Sequence, residues 1–218
     1  MLSYRGLFMI GLLILTLDGC SNKGRPPFRD MALQPLGPCD TTELTFIRHE
    51  LINFFHRPVV LLPEIPIPHA FLNLSKGERY SADSLIRWLA GKTNDSITQV
   101  IGFTHKDIFT TDKDKSGKTK EPKEKYEIWG IFGLGFCPGK ASVVSDYRLQ
   151  TTDQKKFDHR LRTVILHEVG HNIGLPHCPN PHCIMNDANE KIATVDNSAD
   201  DYCPSCRSKI DKLYRFPN

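Results

Sequence analysis

His167-Glu168-Val169-Gly170-His171-Asn172-Ile173-Gly174-Leu175-Pro176-His177 is the stretch on which the reading of this chain turns. The residues before it carry Leu161, Val164, Ile165 and Leu166 at helical spacing, which predicts a helix over 157–173. On that helix His167 and His171 lie one turn apart on one face. Two imidazoles so placed can share one zinc ion, and Glu168 between them projects toward the place of a metal-bound water. Gly174 tolerates the left-handed backbone that ends a helix sharply, and Pro176 keeps the helix from resuming. His177 is then free to swing back as a third ligand.

A cysteine pattern follows directly. Cys178 adjoins His177, Cys183 comes after four residues, Met185 two later, and seventeen residues on stand Cys203 and Cys206. Four thiols fit a closed Cys₄ structural zinc site. Two alternatives compete: two disulfides, if the compartment is oxidising, or a redox pair at Cys203-Pro204-Ser205-Cys206. The fixed spacing to the histidine motif favours zinc. Cys39 and Cys137 are left over, either free or paired with each other.

Taken together, HExxHxxGxxHC, four residues, CxM, seventeen residues and CxxC resemble the signature of the archaemetzincins, zinc metallopeptidases of the metzincin clan. The resemblance implies a catalytic zinc on His167, His171 and His177, with Glu168 as general base. It implies a second, structural zinc on Cys178, Cys183, Cys203 and Cys206, and makes Met185 the Met-turn residue beneath the first site. It further implies an α/β (α+β) zincin fold: a mixed, mostly parallel twisted sheet, an active-site helix and a small C-terminal subdomain. Residues 102–109 and 129–149 look similar to the strand region preceding the zinc helix in that family; the basic segment 112–125 looks longer. The expected activity is zinc-dependent hydrolysis of peptide bonds. The alternative is an exported protein that binds zinc or peptide at a metzincin-like site without turning substrate over. Glu168 favours the enzyme, because a pure binding site needs no base beside the metal.

The rest of the chain sets the frame. Its 218 residues, 39% hydrophobic and 24% charged, suit one domain with its own core. A net charge of +3 argues against nucleic acid as a partner; a monomer acting on peptide or protein is expected. Arg5 and the apolar run 6–17 read as a signal peptide over 1–19. Leu17-Asp18-Gly19-Cys20 resembles a lipobox, so Cys20 is the expected lipidated first residue of a membrane-anchored lipoprotein in a bacterial periplasm or cell envelope. An ordinary signal peptide or an uncleaved anchor are the alternatives. Residues 20–38 read as a tether and 39–218 as the peptidase domain.

Within that domain the pattern predicts helices over 41–56, capped near Thr41-Thr42-Glu43, over 81–89, and over 204–214. Strands are expected at 59–62, 97–109, 126–136 and 140–149, the last two joined at Cys137-Pro138-Gly139. A peptide would lie along an edge strand within 140–149. The charged run 112–125 reads as a solvated loop, with a basic exosite as its alternative. His49, His56, His69, His105, His159 and His182 read as surface or packed groups, with His182 close enough to the cysteines to modulate them.

Overall fold

The computed structural model describes residues 30–189 and 191–213. The expected signal peptide and Cys20 lie outside them. From Asp30 onward the expected tether is corrected. Residues 30–35 form the first strand, β1 (Asp30–Pro35), and five of its six residues are buried. Its sequence, DMALQP, is buried on both faces and so lacks the alternation that marks a half-exposed strand. Chain order continues with α1 (Thr41–Phe55), β2 (Val59–Leu61), β3 (Leu72–Asn73), β4 (Arg79–Ser81), α2 (Ala82–Ala90), β5 (Ile97–Thr104) and β6 (Ile108–Thr110). Then come α3 (Lys123–Tyr126), β7 (Trp129–Ile131), β8 (Gly133–Gly135), β9 (Ala141–Ser145), α4 (Gln154–Ile173), α5 (Ile192–Asp196) and α6 (Pro204–Leu213).

The main sheet has the order β2-β1-β5-β9-β8. The first three pairings are parallel and only β8 runs antiparallel, against β9. Side chains alternate between its two faces, as strand geometry demands. Met31, Leu33, Ile101, Phe103 and Val144 join one core with α1 and α4. Ala32, Val100, Ala141 and Val143 join the other, with Leu85, Ile86 and Leu89 of α2. Gly102 lets α2 approach closely: a Cβ there would stand 2.6 Å from Leu89 Cδ1.

Three strand expectations need correction. Residues 97–109 are two strands in different sheets, because the chain turns at 105–107. Asp107 anchors that turn, accepting from Arg148 Nε (2.7 Å) and Arg79 Nε (2.9 Å). Its partners pull β6 into a second sheet of order β3-β4-β6-β7, which periodicity along the chain does not encode. Residues 126–136 are likewise not one strand but the end of α3 followed by β7 and β8. The strand within 140–149 is interior, flanked by β5 and β8; the free edge on that side belongs to β8.

Helix expectations fared better, since each amphipathic face was present in sequence. The cap of α1 is Asp40 rather than Thr41: its carboxylate accepts from the Thr42 N–H at 2.6 Å. No described helix is long and apolar enough to cross a membrane.

Candidate metal centre

Helix α4 is capped by Asp153, whose carboxylate accepts from the Lys156 N–H. It ends at Gly174, which holds φ of 109°. The Gly174 and Leu175 N–H groups fold back onto the last carbonyls of the helix: Leu175 N–H donates to Gly170 O at 2.9 Å. The reversal returns the chain toward the helix. His167, His171 and His177 each bring one imidazole nitrogen into a set whose atoms all lie within 4.8 Å of one another.

The backbone sets the ring orientation of the first two. His167 Nδ1 pairs with Ile184 O at 2.7 Å and His171 Nδ1 with Leu175 O at 2.8 Å. A carbonyl only accepts, so both Nδ1 atoms carry the proton and Nε2 presents its lone pair. Burial, followed by the repulsion of His171, holds His167 down at about 3. Burial also lowers His171. Both rings are therefore neutral and competent as metal ligands. His177 is more exposed, with Nδ1 3.5 Å from Asp187 Oδ2.

Glu168 is 6% exposed. Burial alone lifts its carboxyl to about 8; a divalent cation at the imidazoles acts in the opposite direction. Strand β8 lies directly over it. A Cβ on Gly133 would stand 2.7 Å from Glu168 Cγ, and one on Gly135 would stand 2.7 Å from the Glu168 carbonyl oxygen. Asn172 fastens the strand end there, donating from Nδ2 to Phe136 O at 3.0 Å and Ala141 O at 2.8 Å. A cleft of about 420 Å³ opens above the three imidazoles and runs between β8 and the segment 110–113. The charged run 112–125 is thus part of the cleft wall through Asp112, Lys113 and Lys120, with Lys120 paired to Asp112 at 2.8 Å.

Met185 is fully buried under α4. A Cβ on Gly170 would meet its Sδ at 2.5 Å, so the glycine inside the histidine motif makes room for the methionine. Tyr202, whose hydroxyl donates to Leu166 O at 2.7 Å, braces the same region.

Cys178, Cys183, Cys203 and Cys206 form a second set with sulfur atoms within 4.8 Å of one another, and all four are free thiols. Cys178 Sγ and Cys203 Sγ are 3.7 Å apart. A disulfide needs about 2.05 Å. A tetrahedral zinc with Zn–S near 2.3 Å sets its sulfurs about 3.8 Å apart, so the spacing suits the metal. Burial raises Cys183 and Cys206. For Cys203 burial is outweighed by the Cys206 backbone N–H and the neighbouring thiols, which bring it down to about 7. Cys178 N–H donates to Met185 O at 2.7 Å, linking the two clusters through the backbone. Cys39 and Cys137 are not paired; their thiols donate to Phe103 O and Leu175 O. His182 sits outside the thiol set, its Nδ1 3.1 Å from Asn197 O.

Sequence reasoning missed the β8 glycines, Asp187 and Tyr202. Gly133-Leu134-Gly135 was the available signal, since glycine inside a strand marks a close approach by something else.

The model of peptidase family M54 matches residues 62–212. The chain belongs to peptidase family M54. Its relatives include the archaemetzincin of Archaeoglobus fulgidus, 29% identical over 178 residues that cover 82% of this chain and 96% of that protein. The archaemetzincin of Natronomonas pharaonis is 38% identical over 89 residues, 37% of this chain; the match spans about half of that relative, 51%. Among solved structures, archaemetzincin from Methanopyrus kandleri superposes with a TM-score of 0.71 at 21% identity, covering 87% of this chain and 97% of that one. The A. fulgidus structure, complexed with malonate, gives 0.66 at 26% identity, covering 83% and 99%. Those likenesses show a shared overall fold.

Proposed function

We propose that this M54 protein hydrolyses peptide bonds, with zinc held by His167, His171 and His177 and with Glu168 as general base. The observation that carries the reading is the convergence of three imidazoles, two of them with Nδ1 fixed by backbone carbonyls, beside a buried carboxylate at the foot of an open cleft. Zinc bound there supplies Lewis acidity that polarises a scissile carbonyl and acidifies water. Glu168 takes the proton of the attacking water and passes it to the leaving amine. The glycines of β8 let the strand lie against Glu168 and hold its carboxylate in place, while burial keeps competing water from it. An extended substrate pairs with the free edge of β8, with α4 as the floor of the groove.

A second zinc on Cys178, Cys183, Cys203 and Cys206 fixes the loop that carries His177 and ties it to the start of α6. Met185 supports the histidine helix from below. Peptide or protein is the substrate class. Export with a lipid on Cys20 is our reading of residues 1–20.

The test is direct. The mature domain is incubated with a peptide library, with and without chelator, and products are read by mass spectrometry. Chelator-sensitive cleavage is expected, together with a loss of about 10²–10⁴-fold in Glu168→Gln at unchanged zinc content. Retained zinc without any cleaved product in the unaltered protein would instead identify a binding protein.

A further inference from the structure

A third cluster lies away from the cleft. His105 directly follows the last residue of β5, and Asp146 directly follows the last residue of β9. Glu43 stands in the first turn of α1, the helix that leaves β1. Strands β1, β5 and β9 are parallel, so all three residues gather at one carboxyl edge of the sheet. The chain leaves β1 toward β2 on one side and later returns to β5 on the other, which makes this edge a topological switch point. Crevices of that kind are where open α/β sheets bind ligands.

One nitrogen or oxygen atom from each of the three residues lies within 4.8 Å of the others. His105 Nδ1 is 2.9 Å from Asp146 Oδ2, and His105 Nε2 is 3.6 Å from Glu43 Oε2. The Asp146 side chain is 2% exposed. Its Oδ1, and Glu43 Oε2, are both buried without any hydrogen-bond partner. A carboxylate oxygen taken out of water and left unpaired is a strongly unfavourable arrangement, relieved by a proton or a cation. Two such oxygens from different elements, flanking one imidazole, have the composition of a metal site. His105 is about one-third exposed, which leaves a route in from solvent.

The geometry points to a third cation site at Glu43, His105 and Asp146, for a divalent metal of the zinc–manganese class. One imidazole and two carboxylates suit that class better than calcium or magnesium, which prefer oxygen alone. The supporting contacts are already in place. Gln150 Nε2 donates to Asp146 Oδ2 at 2.7 Å and holds the carboxylate. Burial raises the Glu43 and Asp146 carboxyls, the mark of negative charge short of compensation. The nearby Cys39 lies outside the set, its thiol donating to Gly37 O at 3.3 Å and Phe103 O at 3.6 Å. Entry of the cation displaces the imidazole proton or the Asp40 N–H that now faces Nε2 at 3.1 Å.

The experiment uses the full chain loaded with two equivalents of zinc. Zn²⁺ and, separately, Mn²⁺ are titrated in, with bound metal read by calorimetry and by Mn²⁺ electron paramagnetic resonance. A further equivalent per chain is expected. It should survive His167→Ala and weaken by at least about 10-fold in Glu43→Gln, the loss that even an outer-sphere partner causes. His105→Gln gives the same readout from a second partly exposed position, so the test does not depend on altering buried Asp146; circular dichroism checks the fold of each variant. If neither metal adds an equivalent, the carboxylates share a proton and the site is refuted. An additional equivalent that persists unchanged in both Glu43→Gln and His105→Gln refutes it equally.

Discussion

Gly133→Ala is the sharpest test of how β8 and α4 cooperate. Gly133 is not among the glycines with positive φ, so alanine is compatible with the strand backbone. The added methyl would stand 2.7 Å from Glu168 Cγ and 2.8 Å from Oε1. Ordinary carbon contact begins near 3.5 Å, so the clash amounts to about 0.8 Å. It falls on a side chain that can rotate, and the relief is therefore movement of the general base. Displacing a reacting group by about 1 Å costs roughly 100-fold, about 2.7 kcal/mol of barrier. The assay is kcat/KM on a cleaved peptide, with zinc content and thermal unfolding measured on the same sample. Activity should fall about 100-fold while zinc is retained. Gly135→Ala is the contrast: its methyl would meet the Glu168 backbone oxygen at 2.7 Å, which no rotation relieves. That variant should lose stability, by about 1–3 kcal/mol for an overpacked site. Full activity in Gly133→Ala, with a folded and metal-loaded protein, would mean that β8 does not position Glu168.

Other expectations are as direct. Cys183→Ser should release one zinc per chain and lower the unfolding temperature, read by metal analysis and calorimetry; an unchanged zinc content would exclude the thiol site. Asp196 has its carboxyl held below the usual range, first by hydrogen bonds from Arg160, with Lys156 adding to them. Its folded value lies below the unfolded one, so the stability it contributes is present above about pH 3.8 and fades as pH falls through the folded value. Asp196→Asn should therefore flatten the acid limb of stability against pH, and an identical limb would dismiss the pairing. The mature N-terminus should begin at a lipid-bearing Cys20; intact-mass measurement finding an unmodified or earlier start would reject the anchor.

The sequence by itself determined the local chemistry. Helical spacing put His167 and His171 on one face, Gly174 supplied the left-handed stop, and the interval from Cys178 to Cys206 marked a second cluster. These signals are legible because helix geometry and turn conformation depend on residues a few places apart. Tertiary structure decided what depends on neighbours far along the chain. It made Asp30–Pro35 a buried strand, since parallel pairing with β2 and β5 supplies the burial that its own pattern does not announce. It moved the free edge from β9 to β8, because strand order is set by packing and not by periodicity. It also gathered Glu43, His105 and Asp146, three residues spread over more than a hundred positions, for the simple reason that parallel strands end on the same side.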